Sequence, residues 1–196
     1  MKKVLFSVIL ILGLFLIGIL SLSELHFKEI NALPGDVKMI HSSDIGNYAK
    51  AVLIEDNTYN MFGVAVLKKK FGFLYRYDGG AWENMVEEGE PFQANGYGNS
   101  DNFLVAIKTA TDSNIKYIAL GNHMEGVMPS DKYELTLDDV RENIDEYYLK
   151  EVKDNYVLFV TDEYSEDTWT IRAFDKDGNL IADELFGGVA RYIDWK

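Results

Sequence analysis

His26, His41 and His123 are the side chains in this sequence that could exchange a proton near neutrality. His123 has the most suggestive setting. It follows Leu120-Gly121-Asn122, just past a strand-like run, where functional loops lie, and Glu125 stands two residues on. With nearby acids it could serve an envelope hydrolase. Neither H-E-x-x-H nor G-x-S-x-G occurs, so a zinc or serine mechanism lacks the spacing it needs. A lone loop histidine is otherwise a polar surface residue, and no catalytic residue is assigned.

Two further groups could bind rather than react. Phe71, Phe73, Tyr75 and Tyr77 fall at every second position, so as a strand all four share one sheet face. Exposed, such a row is a platform for sugar or peptide; buried, it is the inner face of a sheet. Lys68, Lys69 and Lys70 form the basic run of the chain, suited to an anionic envelope polymer or to lipid headgroups, or simply to a solvated turn. Glu83, Glu87, Glu88 and Glu90 could attract a cation. Asp175-Lys176-Asp177-Gly178-Asn179 resembles the opening of a calcium loop, but Gly comes fourth instead of sixth, and a hairpin turn is expected. No metal or other cofactor is expected. The chain has no cysteine, which removes disulfides, thiolate metal sites, cysteine nucleophiles and lipoprotein acylation.

The elements that would position these groups are mostly strands. Runs at 48–55 and 59–68 predict a hairpin around Glu55-Asp56-Asn57-Thr58, and 71–77 a third strand ended by a turn at Asp78-Gly79-Gly80. Residues 81–102 read as an irregular excursion with one short strand near 92–95. Strands follow at 103–109 and 115–120, then at 156–161, 168–174, 180–185 and 189–195. The principal helix is expected at 136–147. Thr136 caps it with Asp139 three residues on, Leu135 and Val140 form a staple, and Leu137, Val140, Ile144 and Tyr147 make its apolar stripe.

Ahead of all this lies Val4 to Leu22, interrupted only by Ser7 and Ser21 and carrying no charge. As a helix it would reach about 28 Å at ~1.5 Å per residue, close to a hydrocarbon core of ~30 Å. Lys2 and Lys3 precede it and Glu24 follows, which predicts a cytoplasmic amino terminus and an outward-facing remainder. Its apolar core is longer than that of a cleaved signal peptide, and Ser21-Leu22-Ser23 is a poor cleavage site, so retention is expected, with secretion as the alternative. Leu33-Pro34-Gly35-Asp36 then marks the boundary between a juxtamembrane stalk and the domain.

The net charge of −13 disfavours nucleic acid. The Met-Lys-Lys start, the single apolar helix and the segment VAVLKKKFGFLY resemble small membrane-anchored proteins of low-GC Gram-positive bacteria. That group has no established activity, so the resemblance implies a layout and no catalytic residue.

The expectation is therefore an α+β chain: a signal-anchor helix at 1–22, a stalk at 23–36, and at 37–196 an extracytoplasmic domain of mostly antiparallel β-sheet with one principal helix. Its expected role is a binding or accessory module at the cell membrane, with an envelope protein as partner. The alternatives are the His123 hydrolase and a cleaved, secreted effector or inhibitor.

Overall fold

The computed structural model describes residues 23–99, 102–124, 126–127 and 131–193, and before them the isolated positions 6, 10, 11, 13 and 18. Among these residues every sheet is antiparallel. The first sheet takes β1 (Lys38–Ile45), β2 (Ala49–Asp56), β3 (Met61–Lys70) and β4 (Leu74–Asn84) in chain order. β5 (Phe92–Gly98) and β6 (Phe103–Thr109) begin the second sheet; β7 (Tyr117–Gly121) and β8 (Tyr147–Glu151) begin the third. β9 (Tyr156–Thr161) returns to the second sheet beside β6. β10 (Ile171–Phe174), β11 (Leu180–Glu184) and β12 (Arg191–Tyr192) complete the third, in the order β12-β11-β10-β7-β8.

Period-two alternation stacks the three sheets in layers. In β6, Phe103, Val105 and Ile107 face the third sheet, where they meet Ile118, Leu120, Ile171 and Ala173. The intervening Leu104 and Ala106 face the first sheet and meet Ala51, Leu53, Phe62 and Val64. The second sheet is thus covered on both sides, which is why FLVAIKT and YVLFVT read as nearly continuous apolar runs. Each outer layer has its own cover. Ala32, Leu33 and Val37, around the short helix α1 (Glu29–Ala32), close the outer face of the first sheet. Leu137 and Val140 of α2 (Leu137–Glu142) close that of the third.

The β-rich antiparallel character matches the expectation, and the strands at 103–109 and 156–161 match to the residue. Several details differ. The strands expected at 168–174 and 189–195 are shorter, Ile171–Phe174 and Arg191–Tyr192, and the excursion expected at 81–102 holds the end of β4, to Asn84, and a β5 that runs on to Gly98. The helix begins as expected, with Thr136 and Asp139 in a full capping box, but it ends at Glu142. A single 3-10 turn, Ile144–Glu146, follows, Ile144 is exposed, and Tyr147 opens β8. A longer helix would leave one side of β7 unpaired, whereas Tyr147-Tyr148-Leu149 supplies β-prone side chains that pair with Ala119 to Gly121. Asp78-Gly79-Gly80 is not a turn but a bulge inside β4: Val66 pairs with Gly79, Leu67 with Tyr77, and Asp78 is the extra residue. Phe71 to Phe73 is the turn instead, so the strand expected from residue 71 starts at Leu74. β1, with its Ser42-Ser43-Asp44 segment, is too polar to be picked out as a separate strand, and it lies at a sheet edge.

Among the described residues no helix is long and apolar enough to cross a membrane. The anchor expected at 1–22 lies outside those residues, apart from the five isolated positions.

Candidate functional site

Lys153, Asp154, Asn155 and Tyr156 make a two-residue hairpin turn. Asp154 and Asn155 both have positive φ, and Lys153 and Tyr156 exchange backbone hydrogen bonds of 2.8 and 3.1 Å. Beyond this turn the two strands part: β8 joins the third sheet and β9 the second. The parting opens a groove of about 510 Å³, and β1, the edge of the first sheet, forms its other wall. Three sheet edges therefore meet at one place.

The chemistry of this groove is cationic and donor-rich. Lys150 reaches across the split hairpin and donates to the Leu158 carbonyl at 2.6 Å, with its ammonium 5.2 Å from the Phe159 ring. It has no carboxylate within 4.0 Å among the described residues, and burial holds its pKa below the usual lysine range. An ammonium has three donors, and one is engaged here. His41, beside a bulge in β1, lines the groove, and its buried Nε2 has no hydrogen-bond partner. Ser42, Ser43 and Lys153 line the same space. Glu151 is held by Lys116 at 2.7 Å, so its charge is already matched. In a chain of net charge −13, converging donors without an acid partner are suited to an anion. Lys150 in this position also blocks edge-to-edge pairing along β9.

His123 lies elsewhere. Its backbone N–H donates to Asp167, its Nε2 is 3.5 Å from Glu166 Oε2, and its Nδ1 is 3.4 Å from Thr170 Oγ1. Thr170 is fully buried and donates to the Glu166 carbonyl at 2.7 Å, so its hydroxyl is not presented for attack. His123 thus latches the loop after β7 onto the segment before β10. Glu125 lies outside the described residues. The adjoining cleft, about 710 Å³, is lined by Asp145, Glu146, Asp162, Glu163 and Asp167 and repels anions. No group of three or more His, Asp or Glu suited to a metal occurs among the described residues.

The aromatic row is divided by the turn. Phe71 and Phe73 are exposed, while Tyr75 and Tyr77 pack on the cluster under α1. Lys68, Lys69 and Lys70 lie within β3, not between strands. Lys68 pairs with Asp78 at 2.8 Å and Lys69 with Asp44. Asp175 accepts from the Asp177 and Asn179 amides, which makes its loop the expected hairpin turn.

Two buried polar features had no readable motif. On the outer face of the third sheet, Arg172, Asp183 and Arg191 stand side by side on adjacent strands. On the inner face, Glu184 sits near Glu83 and Glu90, and burial, with the repulsion of Asp183 and those two acids, pushes its carboxyl up to about 7. A raised carboxylate pKa destabilises the fold once the group must ionise. The contribution is absent below the ordinary glutamate range and grows as pH rises towards about 7. Glu184→Gln is therefore expected to gain on the order of 1–2 kcal/mol at pH 8, allowing for partial solvent screening, and little at pH 4. Urea unfolding at both pH values reads the difference; equal gains at the two would refute it.

The groove itself had no sequence signal. His41 and Lys150 are about a hundred residues apart, and only the parting of β8 from β9 brings them to one space. No family model matches the chain. No curated protein and no solved structure is significantly similar to it.

Proposed function

We propose that this chain is a membrane-tethered binding module of the outer cell surface, whose β1–β9–β8 groove takes a carboxylate-bearing ligand. The tether is the uncharged run from Val4 to Leu22, with Lys2 and Lys3 on its cytoplasmic side. The ligand class rests on one observation: the Lys150 ammonium and the unpartnered ring nitrogen of His41 belong to one groove, whose one lining carboxylate, Glu151, is already matched by Lys116. Binding is favoured over catalysis because the hydroxyl beside His123 is buried and already hydrogen-bonded. Nucleic acid is disfavoured by the acidic surface.

The test uses the full chain in lipid nanodiscs, titrated calorimetrically with a tetraglutamate peptide. Wild type is expected to bind. Lys150→Gln, which loses the charge and keeps a polar side chain one atom shorter, is expected to bind about 10- to 100-fold more weakly, the equivalent of one charge-assisted hydrogen bond. No heat with wild type, or equal affinity in the variant, overturns the reading.

A further inference from the structure

The segment that follows the apolar run does not hang free. His26 and Tyr75 exchange backbone hydrogen bonds of 2.9 and 2.8 Å, which adds the chain to the β4 edge. Phe27 stacks on Phe73, ring centroids 6.2 Å apart. Glu29 is tied to Lys50 at 2.7 Å, and Ala32 and Leu33 are buried. The expected stalk is thus docked on the first sheet, at the end that carries the β1–β2 and β3–β4 turns. Tyr48 of one turn and Lys69 beside the other share a backbone hydrogen bond of 2.7 Å.

That end exposes large apolar side chains: Phe27 is 64% exposed, Phe71 83%, Phe73 56% and Tyr48 78%. Phe71 is held there at φ 55°, a conformation bulky L-residues rarely adopt, with Gly72 beside it at φ 79°. Lys28 follows Phe27 and Lys70 precedes Phe71; both are exposed and have no carboxylate within 4.0 Å among the described residues. Aromatic rings interleaved with unpaired lysines, on a protein of net charge −13, complement the anionic membrane interface. Distance agrees: Phe27 lies five positions after Leu22, at most ~18 Å of extended chain.

We propose that Phe27, Phe71 and Phe73, flanked by Lys28 and Lys70, form a platform that rests on the anionic headgroup layer and fixes the orientation of the domain. This rests on the tether reading above. The platform sets the first sheet with its β2–β3 turn, where Tyr59 is also 74% exposed, pointing away from the bilayer. Tyr59 is therefore a matched control.

The natural chain has no cysteine, so Phe71→Cys, Phe73→Cys and Tyr59→Cys each give a single labelling site. Full-length variants carrying an environment-sensitive fluorophore go into nanodiscs containing phosphatidylglycerol and headgroup-nitroxide lipid. The expected result is blue-shifted emission at 71 and 73, with quenching at least about twofold stronger than at 59. Adding Lys28→Glu and Lys70→Glu should reduce that quenching. Equal emission and quenching at all three sites, in protein that has entered the discs, overturns the platform and leaves the tether standing. A blue shift without lipid quenching points to a protein contact and also overturns it. Protein that fails to enter the discs overturns the tether, and the platform with it.

Discussion

Asp183→Asn is expected to lower the unfolding free energy by about 3–5 kcal/mol, the scale for removing one partner of a buried ionic cluster. Asp183 is fully buried on β11, level with Arg172 on β10 and Arg191 on β12. Its Oδ1 accepts from Arg191 Nε at 2.8 Å and its Oδ2 from the Tyr133 hydroxyl at 2.9 Å. Tyr133 in turn accepts from Arg172 Nε at 3.3 Å, and burial pushes the Tyr133 phenol up, so it remains a donor to the carboxylate. Arg172 is also fully buried and anchors the Gly121 and Asn122 carbonyls. One carboxylate therefore balances two guanidinium groups. Asparagine preserves the shape but leaves the inner cation without a counter-charge in a dry setting. For a domain of this size, at roughly 2–4 °C per kcal/mol, the melting point should fall by roughly 6–20 °C. Thermal and urea unfolding measure it. A loss under about 1 kcal/mol would mean the cluster is better solvated than its burial indicates.

Gly79→Val should destabilise by about 2–6 kcal/mol, through backbone strain and overpacking together. Gly79 has φ 132°, a region open in practice to glycine alone. A Cβ at this position would collide with the Tyr97 hydroxyl. The neighbouring Gly80 is closed as well, by the Val64 carbonyl. These glycines let the bulged β4 lie against β5 without a gap. Valine must either displace the Tyr97 ring or undo the bulge, and undoing it would shift the register of Leu74 to Tyr77 against β3. The urea midpoint reads the effect. Gly79→Ala should change it in the same direction by less, and a near-neutral valine variant would show that the bulge can relocate at little cost.

The same glycines show how sequence patterns mislead. Asp-Gly-Gly between two runs is a sound turn signal by local chemistry, and local chemistry is satisfied equally by a bulge. Which of the two forms depends on whether β3 is long enough to pair past that point, and β3 extends through Lys70. Similarly, Thr136 and Asp139 announced the start of α2, because a cap is a contact between residues three apart. Its end was decided by β7, some twenty residues upstream, whose free side required β8.

Local pattern alone carried the β-rich class, the strands at 103–109 and 156–161, the capped start of α2 and the lack of thiol chemistry. Each depends on side-chain type or on spacings of two to four residues. Tertiary packing decided the groove, the Arg172–Asp183–Arg191 row and the docking of the segment after Leu22. Each of these joins groups from separate strands, and contacts that close long loops leave no periodic trace along the chain. Lys150 is one lysine among the chain's 19 basic residues. What sets it apart is that β8 and β9 leave the same turn for different sheets.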